Sequence, residues 1–249
     1  MTKVQVLLVP GTSETNLVDT DNTPNGLLKT VSDRLDQEKF FCKEVIYAAV
    51  YGTDGMNYIQ SRQTGIDMLI HETQTYDGPT IWIGYSQGAD SVGEASKLIP
   101  ELGLNVIFIG LVADPARHPD QNVLIEPHPA GSYGITGQRL VQASCPVWTA
   151  AATGDPICAL PEGNPLRSVA DGTKFMSSNF ISWFLMTLKL CQESQAQRWW
   201  DLGNWKTWGG AIAYARGYLF DGRHTRAYVD EGHTLALAIK INQLDLPVS

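Results

Sequence analysis

The segment Gly84-Tyr85-Ser86-Gln87-Gly88 restricts this chain more than any other. It follows the apolar run Thr80–Ile83 and precedes a helix-like pattern that opens Ala89-Asp90-Ser91. A serine with a glycine two positions to either side suits a strand-to-helix turn so tight that its neighbours must lack bulk. Such a turn lifts the serine oxygen off the carboxyl edge of a sheet, and the backbone N–H of Gln87 at the helix start faces the same point. The rest of the chain fits this setting. Short apolar runs at Val4–Val9, Val45–Ala49, Asn105–Val112 and Pro146–Ala152 predict further strands, and Leu27–Leu35, Tyr58–Glu72 and Gly88–Lys97 read as helices. Strands apolar at nearly every residue belong to a parallel sheet covered on both faces. The expected fold class is therefore α/β, doubly wound.

The texture changes after about residue 171. Between Lys174 and Leu219 there is no strand pattern, yet five of the seven tryptophans fall here, including Trp183, Trp199, Trp200, Trp205 and Trp208. We expect an α/β core over 1–171, a helical, Trp-rich insertion over 172–222, and a return to the core over 223–249 with a final helix His233–Asn242. The insertion's aromatics suit either a helical core or the wall of an apolar substrate groove. A formal net charge of −8 gives no basic footprint for nucleic acid. Phe180–Cys191, with Lys189 inside it, is too short to span a membrane. Met1-Thr2-Lys3 leads into a strand-like run rather than a secretory h-region, so no cleaved export signal is expected. The four cysteines form no CxxC pair and have no histidine at zinc-ligand spacing, so no structural metal is expected.

A serine on such a turn needs a base, and the base needs a carboxylate to orient it. The chain order for this architecture is Ser, then Asp or Glu, then His. Asp155, in the turn after Val147–Ala152, is the preferred acid, with Asp114 after the preceding strand as the alternative. His71 reads as a solvated residue at a helix end, while His118 and His128 precede Asp155 and break the order. That leaves His224, in a loop before the final helix, as the preferred base and His233, at that helix's start, as the alternative. A Gly-rich turn after the first strand, Pro10-Gly11-Thr12, can supply a second oxyanion donor from Thr12 beside Gln87.

Four segments resemble cutinases. Gly11-Thr-Ser-Glu-Thr-Asn16 is similar to their G-S-T-E-T-x-N segment, and Gly84–Gly88 matches their serine turn letter for letter. Thr153-Gly-Asp155-Pro-Ile-Cys158 resembles their T-G-D-x-[VI]-C loop, and His224-Thr-Arg-Ala-Tyr228 is close to their H-x-x-Y. The chain departs in carrying Ala151 where cutinases have the first cysteine of the acid-loop disulfide, and in its long, Trp-rich segment before the histidine. A cutinase-like core with a helical insertion resembles the lysin B esterases of phages that infect mycobacteria and their relatives. That resemblance implies an α/β-hydrolase with a mainly parallel central sheet. It implies Ser86 as nucleophile, Asp155 as orienting acid, His224 as base, and Thr12 and Gln87 as oxyanion hole, with no metal or cofactor. It further implies hydrolysis of the ester joining mycolic acids to arabinogalactan, at the host envelope during lysis, by an enzyme made in the host cytoplasm. The alternatives are a general cutinase-like lipase or esterase, a mycolyl-transfer enzyme, and a non-enzymatic scaffold that binds lipid or cell wall.

Overall fold

A computed structural model describes residues 2–15, 22–51, 56–125, 131–167, 170, 216–217 and 221–246. In chain order the elements are β1 (Val4–Val9), α1 (Gly26–Ser32), β2 (Phe40–Glu44), α2 (Tyr58–Gln74), β3 (Thr80–Tyr85), α3 (Gln87–Ala95), α4 (Ile99–Leu102) and β4 (Val106–Val112). They continue with β5 (Ser132–Tyr133), β6 (Val147–Ala150), β7 (Leu160–Pro161), α5 (Ala227–Asp230) and α6 (His233–Asn242). Five strands form a parallel sheet in the order β2-β1-β3-β4-β6, and β5 pairs antiparallel with β7.

The period of two along β1 divides its side chains between two cores. Val4, Val6 and Leu8 share one with Leu28 and Val31 of α1 and Leu237 and Ile241 of α6. Leu7 and Val9 share the other with Ile66 and Leu69 of α2 and Ala89 and Val92 of α3. Helices on both faces are why the strands carry apolar residues almost continuously. The chain runs from β1 out to β2 and returns to β3 on β1's other side, so the loops after β1 and β3 part company over one crevice. This is the topological switch point at which doubly wound sheets bind ligands. It sets Thr12 and Ser86 side by side.

One strand lies elsewhere than the apolar run suggests. The edge strand is Phe40–Glu44, paired with Val4–Leu8, and not Val45–Ala49. An edge strand is only half covered, so its sequence carries Lys43, whose ammonium pairs with Glu72 on α2 at 2.5 Å. Val45, Tyr47 and Ala49 are buried for another reason: the chain passes over the carboxyl edge of the sheet. There Tyr47 donates to the Pro10 carbonyl at 2.7 Å and Ser13 N–H to the Ala49 carbonyl at 2.8 Å. The helix read from Tyr58 starts there, held by a capping box in which Asn57 and Gln60 satisfy each other's backbone N–H. The expected insertion at 172–222 falls outside the described residues except for 216–217 and 221–222. Among the described residues, no helix is long and apolar enough to cross a membrane.

Candidate active site

Ser86 is the single residue between β3 and α3, with φ 54° and ψ −118°. A non-glycine residue there stores roughly 1–3 kcal/mol of backbone strain, which its surroundings must hold in place. They do so through Ser86 N–H to the Val112 carbonyl at 2.9 Å and Asp90 N–H to the Ser86 carbonyl at 3.1 Å. The flanking glycines answer to crowding. A Cβ on Gly88 would lie 2.0 Å from the Val9 carbonyl oxygen, and one on Gly84 would lie 2.4 Å from that of Gly88. The α3 start is packed directly on the ends of β1 and β3, and this aims Ser86 into the crevice.

His224 reaches the serine from the far end of the chain. Its Nε2 is 2.9 Å from Ser86 Oγ, and its Nδ1 is 2.9 Å from Asp155 Oδ2 and 3.2 Å from Oδ1. A carboxylate can only accept, so Nδ1 carries the ring proton and the Nε2 lone pair faces the serine. Asp155 is fully buried; its Oδ1 also accepts Ile157 N–H at 2.9 Å and its Oδ2 the Tyr228 hydroxyl at 2.6 Å. Tyr85 stacks on the His224 ring at 5.3 Å between centroids and donates its hydroxyl to the His224 carbonyl at 2.6 Å. Next to it, Arg223 bridges the Thr153 carbonyl and Glu231, tying the His224 segment to the loop that carries Asp155.

The other candidates are occupied differently. His233 is buried behind Tyr228, 5.4 Å between ring centroids, with Nε2 3.8 Å from Glu231. Burial pushes its pKa below the usual value, and its Nδ1 has no hydrogen-bond partner among the described residues. Asp114 meets no histidine among the described residues. Its Oδ1 takes Ala116 N–H at 2.9 Å and Arg139 Nη2 at 2.9 Å. The same guanidinium holds Asp90 at 2.5 Å and Glu94 at 3.1 Å, while Arg62 and Tyr58 reach Asp90's second oxygen at 3.1 and 2.8 Å. Burial lifts the Asp114 carboxyl above its usual value. At Asp90 burial acts in the same direction but is outweighed by Arg139 and Arg62, which leave it below. His71 is exposed on α2, His118 accepts Asp120 N–H at 3.1 Å, and His128 lies outside the described residues.

Thr12 and Gln87 flank Ser86 at the mouth of a pocket walled by Tyr58, Pro115, Ile135 and Ile157. The Thr12 hydroxyl donates to Gln87 Oε1 at 3.1 Å, and Gln87 Nε2 donates to the Val50 carbonyl at 3.2 Å. Both side chains are thereby engaged with each other or with neighbouring backbone. Glu14, a residue the sequence did not single out, pins this loop by accepting Gly11 N–H at 3.1 Å and Leu27 N–H at 3.0 Å. Its only signal was its letter in the cutinase-like segment. Cys42, Cys145 and Cys158 are free thiols.

A parallel sheet wound on both faces, with a strained serine turn at its switch point, defines an α/β-hydrolase fold. Over 94% of its length the chain superposes on 99% of the crystal structure of lysin B from mycobacteriophage D29, with a TM-score of 0.54 and 16% identity. A cutinase-like protein from Cryptococcus matches 72% of the chain and 93% of its own, with a TM-score of 0.47 and 15% identity. An acetyl xylan esterase matches 71% and 96%, with a TM-score of 0.44 and 19% identity. No protein-family profile matches the sequence, and no curated protein is similar to it at the sequence level.

Proposed function

We propose that the protein is a serine esterase in which Ser86 is the nucleophile, His224 the base and Asp155 the orienting acid. The observation that carries this reading is the unbroken hydrogen-bond chain from Ser86 Oγ through His224 to buried Asp155, opening on an apolar-walled pocket. Ser86 Oγ attacks the ester carbonyl as its proton passes to His224 Nε2, and the carbonyl oxygen takes up the negative charge. The backbone N–H groups of Thr12 and Gln87 receive that oxyanion; one such donor is worth about 10²–10³ in kcat. The tetrahedral adduct collapses as His224 protonates the departing alkoxide, leaving an acyl group on Ser86. Water, deprotonated by the same imidazole, then attacks the acyl carbonyl, and the acid leaves with Ser86 restored. Asp155 keeps the ring in the tautomer that each proton transfer requires. No metal or organic cofactor enters any step.

The finer reading is an ester between mycolic acid and arabinogalactan, cleaved at the envelope of a mycobacterium-like host during phage lysis. The lysin B fold supports it, together with the Trp-rich segment between Asp155 and His224. Incubation with purified mycolyl-arabinogalactan should release free mycolic acids, and Ser86→Ala should release none. An enzyme that hydrolyses butyrate esters and leaves this substrate intact would be a general cutinase-like esterase.

A further inference from the structure

A buried phenol closes the acid's hydrogen-bonding shell. Asp155 is 0% exposed, and so is Tyr228, whose hydroxyl donates to Asp155 Oδ2 at 2.6 Å. The phenol oxygen in turn accepts Ala152 N–H at 3.3 Å and lies 3.0 Å from the Cys158 thiol, which itself reaches Asp155 Oδ2 at 3.5 Å. Burial, then the neighbouring Asp155 charge, holds the phenol far from ionising, so it remains a donor. Tyr228 stands four residues after His224 in the same short segment, whereas Asp155 precedes His224 by 69 positions. The carboxylate is thus gripped from two points of one segment: His224 uses it, and Tyr228 orients it.

We propose that Tyr228 is a positioning residue for ester hydrolysis. Its O–H fixes Asp155 in the orientation that meets His224 Nδ1–H, and it touches no substrate. This rests on the assignment of Ser86, His224 and Asp155 given above. A packing role would reside in the ring, which lies 5.4 Å from the His233 ring and 6.3 Å from the Tyr85 ring. The positioning role resides in the oxygen alone.

Tyr228→Phe separates the two, because it keeps the ring and deletes the oxygen. It should be made alone and in the Asp155→Asn background, with p-nitrophenyl butyrate as substrate and rates expressed per folded molecule from urea unfolding curves. Alone, kcat should fall about 10- to 100-fold, the scale of a misoriented catalytic contact, with KM unchanged. In Asp155→Asn the same change should cost almost nothing further, since residues acting through one contact do not add. Equal factors in both backgrounds, a loss confined to KM, or undiminished kcat would each overturn the proposal. If Tyr228→Phe fails to fold, 3-fluorotyrosine at 228 alters the donor while keeping the shape; a changed kcat at constant KM supports the proposal and an identical kcat overturns it. Full activity of Asp155→Asn alone is a distinct result, which would remove the acid assignment beneath it.

Discussion

Two aspartates end two neighbouring strands of this sheet, and each is followed by proline. Asp114 follows β4 and Asp155 follows β6. Both are buried, and each accepts the N–H two residues on, from Ala116 and from Ile157, at 2.9 Å. As local structure they are the same Asp-Pro turn. What reaches them from elsewhere differs. Arg139 arrives at Asp114 with a guanidinium that cannot be deprotonated, and the carboxylate becomes one corner of an ion cluster with Asp90 and Glu94. His224 arrives at Asp155 with an imidazole whose other nitrogen is 2.9 Å from a serine, a group that can pass a proton. The turn makes a buried acceptor; the distant partner decides whether it braces the fold or orients a base.

Exchanging or deleting those partners is the way to break the contrast. The largest effect should come at the base. His224→Ala should lower kcat on p-nitrophenyl butyrate by about 10⁶, as when a triad histidine is removed, while His233→Ala should retain a substantial fraction. Comparable losses in the two would mean that His233 takes the proton. Next come the acids themselves. Asp155→Asn should cost about 10⁴ in kcat by leaving the imidazole in the wrong tautomer, while Asp114→Asn should turn over much as wild type does. The reverse ranking would exchange the two roles.

The third effect is on stability. Arg139→Met leaves buried Asp114 without its cation and takes one of two from Asp90 and from Glu94, which keep Arg62 and Lys97. Urea unfolding should register a loss of about 3–5 kcal/mol, with kcat per folded molecule little changed. A loss below about 1 kcal/mol would show that the cluster is no stronger than a surface pair. The smallest and most diagnostic effect is that loss as a function of pH. Asp90 is held below its usual pKa, so its pairing stabilises the fold above about pH 3.9 and is lost as pH falls through the folded value. Asp114, held above its usual pKa, acts in the opposite sense: its contribution is present below about pH 3.9 and is lost as pH rises through the folded value. Arg139 attracts these carboxylates only when they are ionised. The Arg139→Met deficit should therefore be full where the carboxylates are ionised and shrink on acidification, first as Asp114 takes up its proton above about pH 3.9 and last as Asp90 does below it. A deficit independent of pH would assign the loss to packing.

These contrasts also mark what was legible in the sequence. The serine turn could be read directly because its letters and their spacing are local, although only the crowding at Gly84 comes from the turn itself and that at Gly88 comes from the end of β1. The sheet could be read because strands buried on both faces are apolar throughout. β2 could not, since an edge strand bearing Lys43 looks less like a strand than the buried chain that follows it. Asp114 and Asp155 are indistinguishable by their turns and both satisfy the chain order, so the place of Asp155 after a later strand and the cutinase-like letters favoured it. Arg139 and Glu14 left no periodic signal, because single long-range contacts have no period. Tyr228 was visible as a letter after His224, but its contact with Asp155 depends on how two distant segments fold together.

The most direct test of the whole assignment is the hydrolysis of p-nitrophenyl butyrate by the wild-type chain and by Ser86→Ala, each confirmed as folded by its unfolding curve. We expect turnover by the wild type and a fall in kcat of at least about 10⁴ in the variant. A variant within tenfold of wild type would contradict it, and would reduce the serine turn to a structural feature of the sheet.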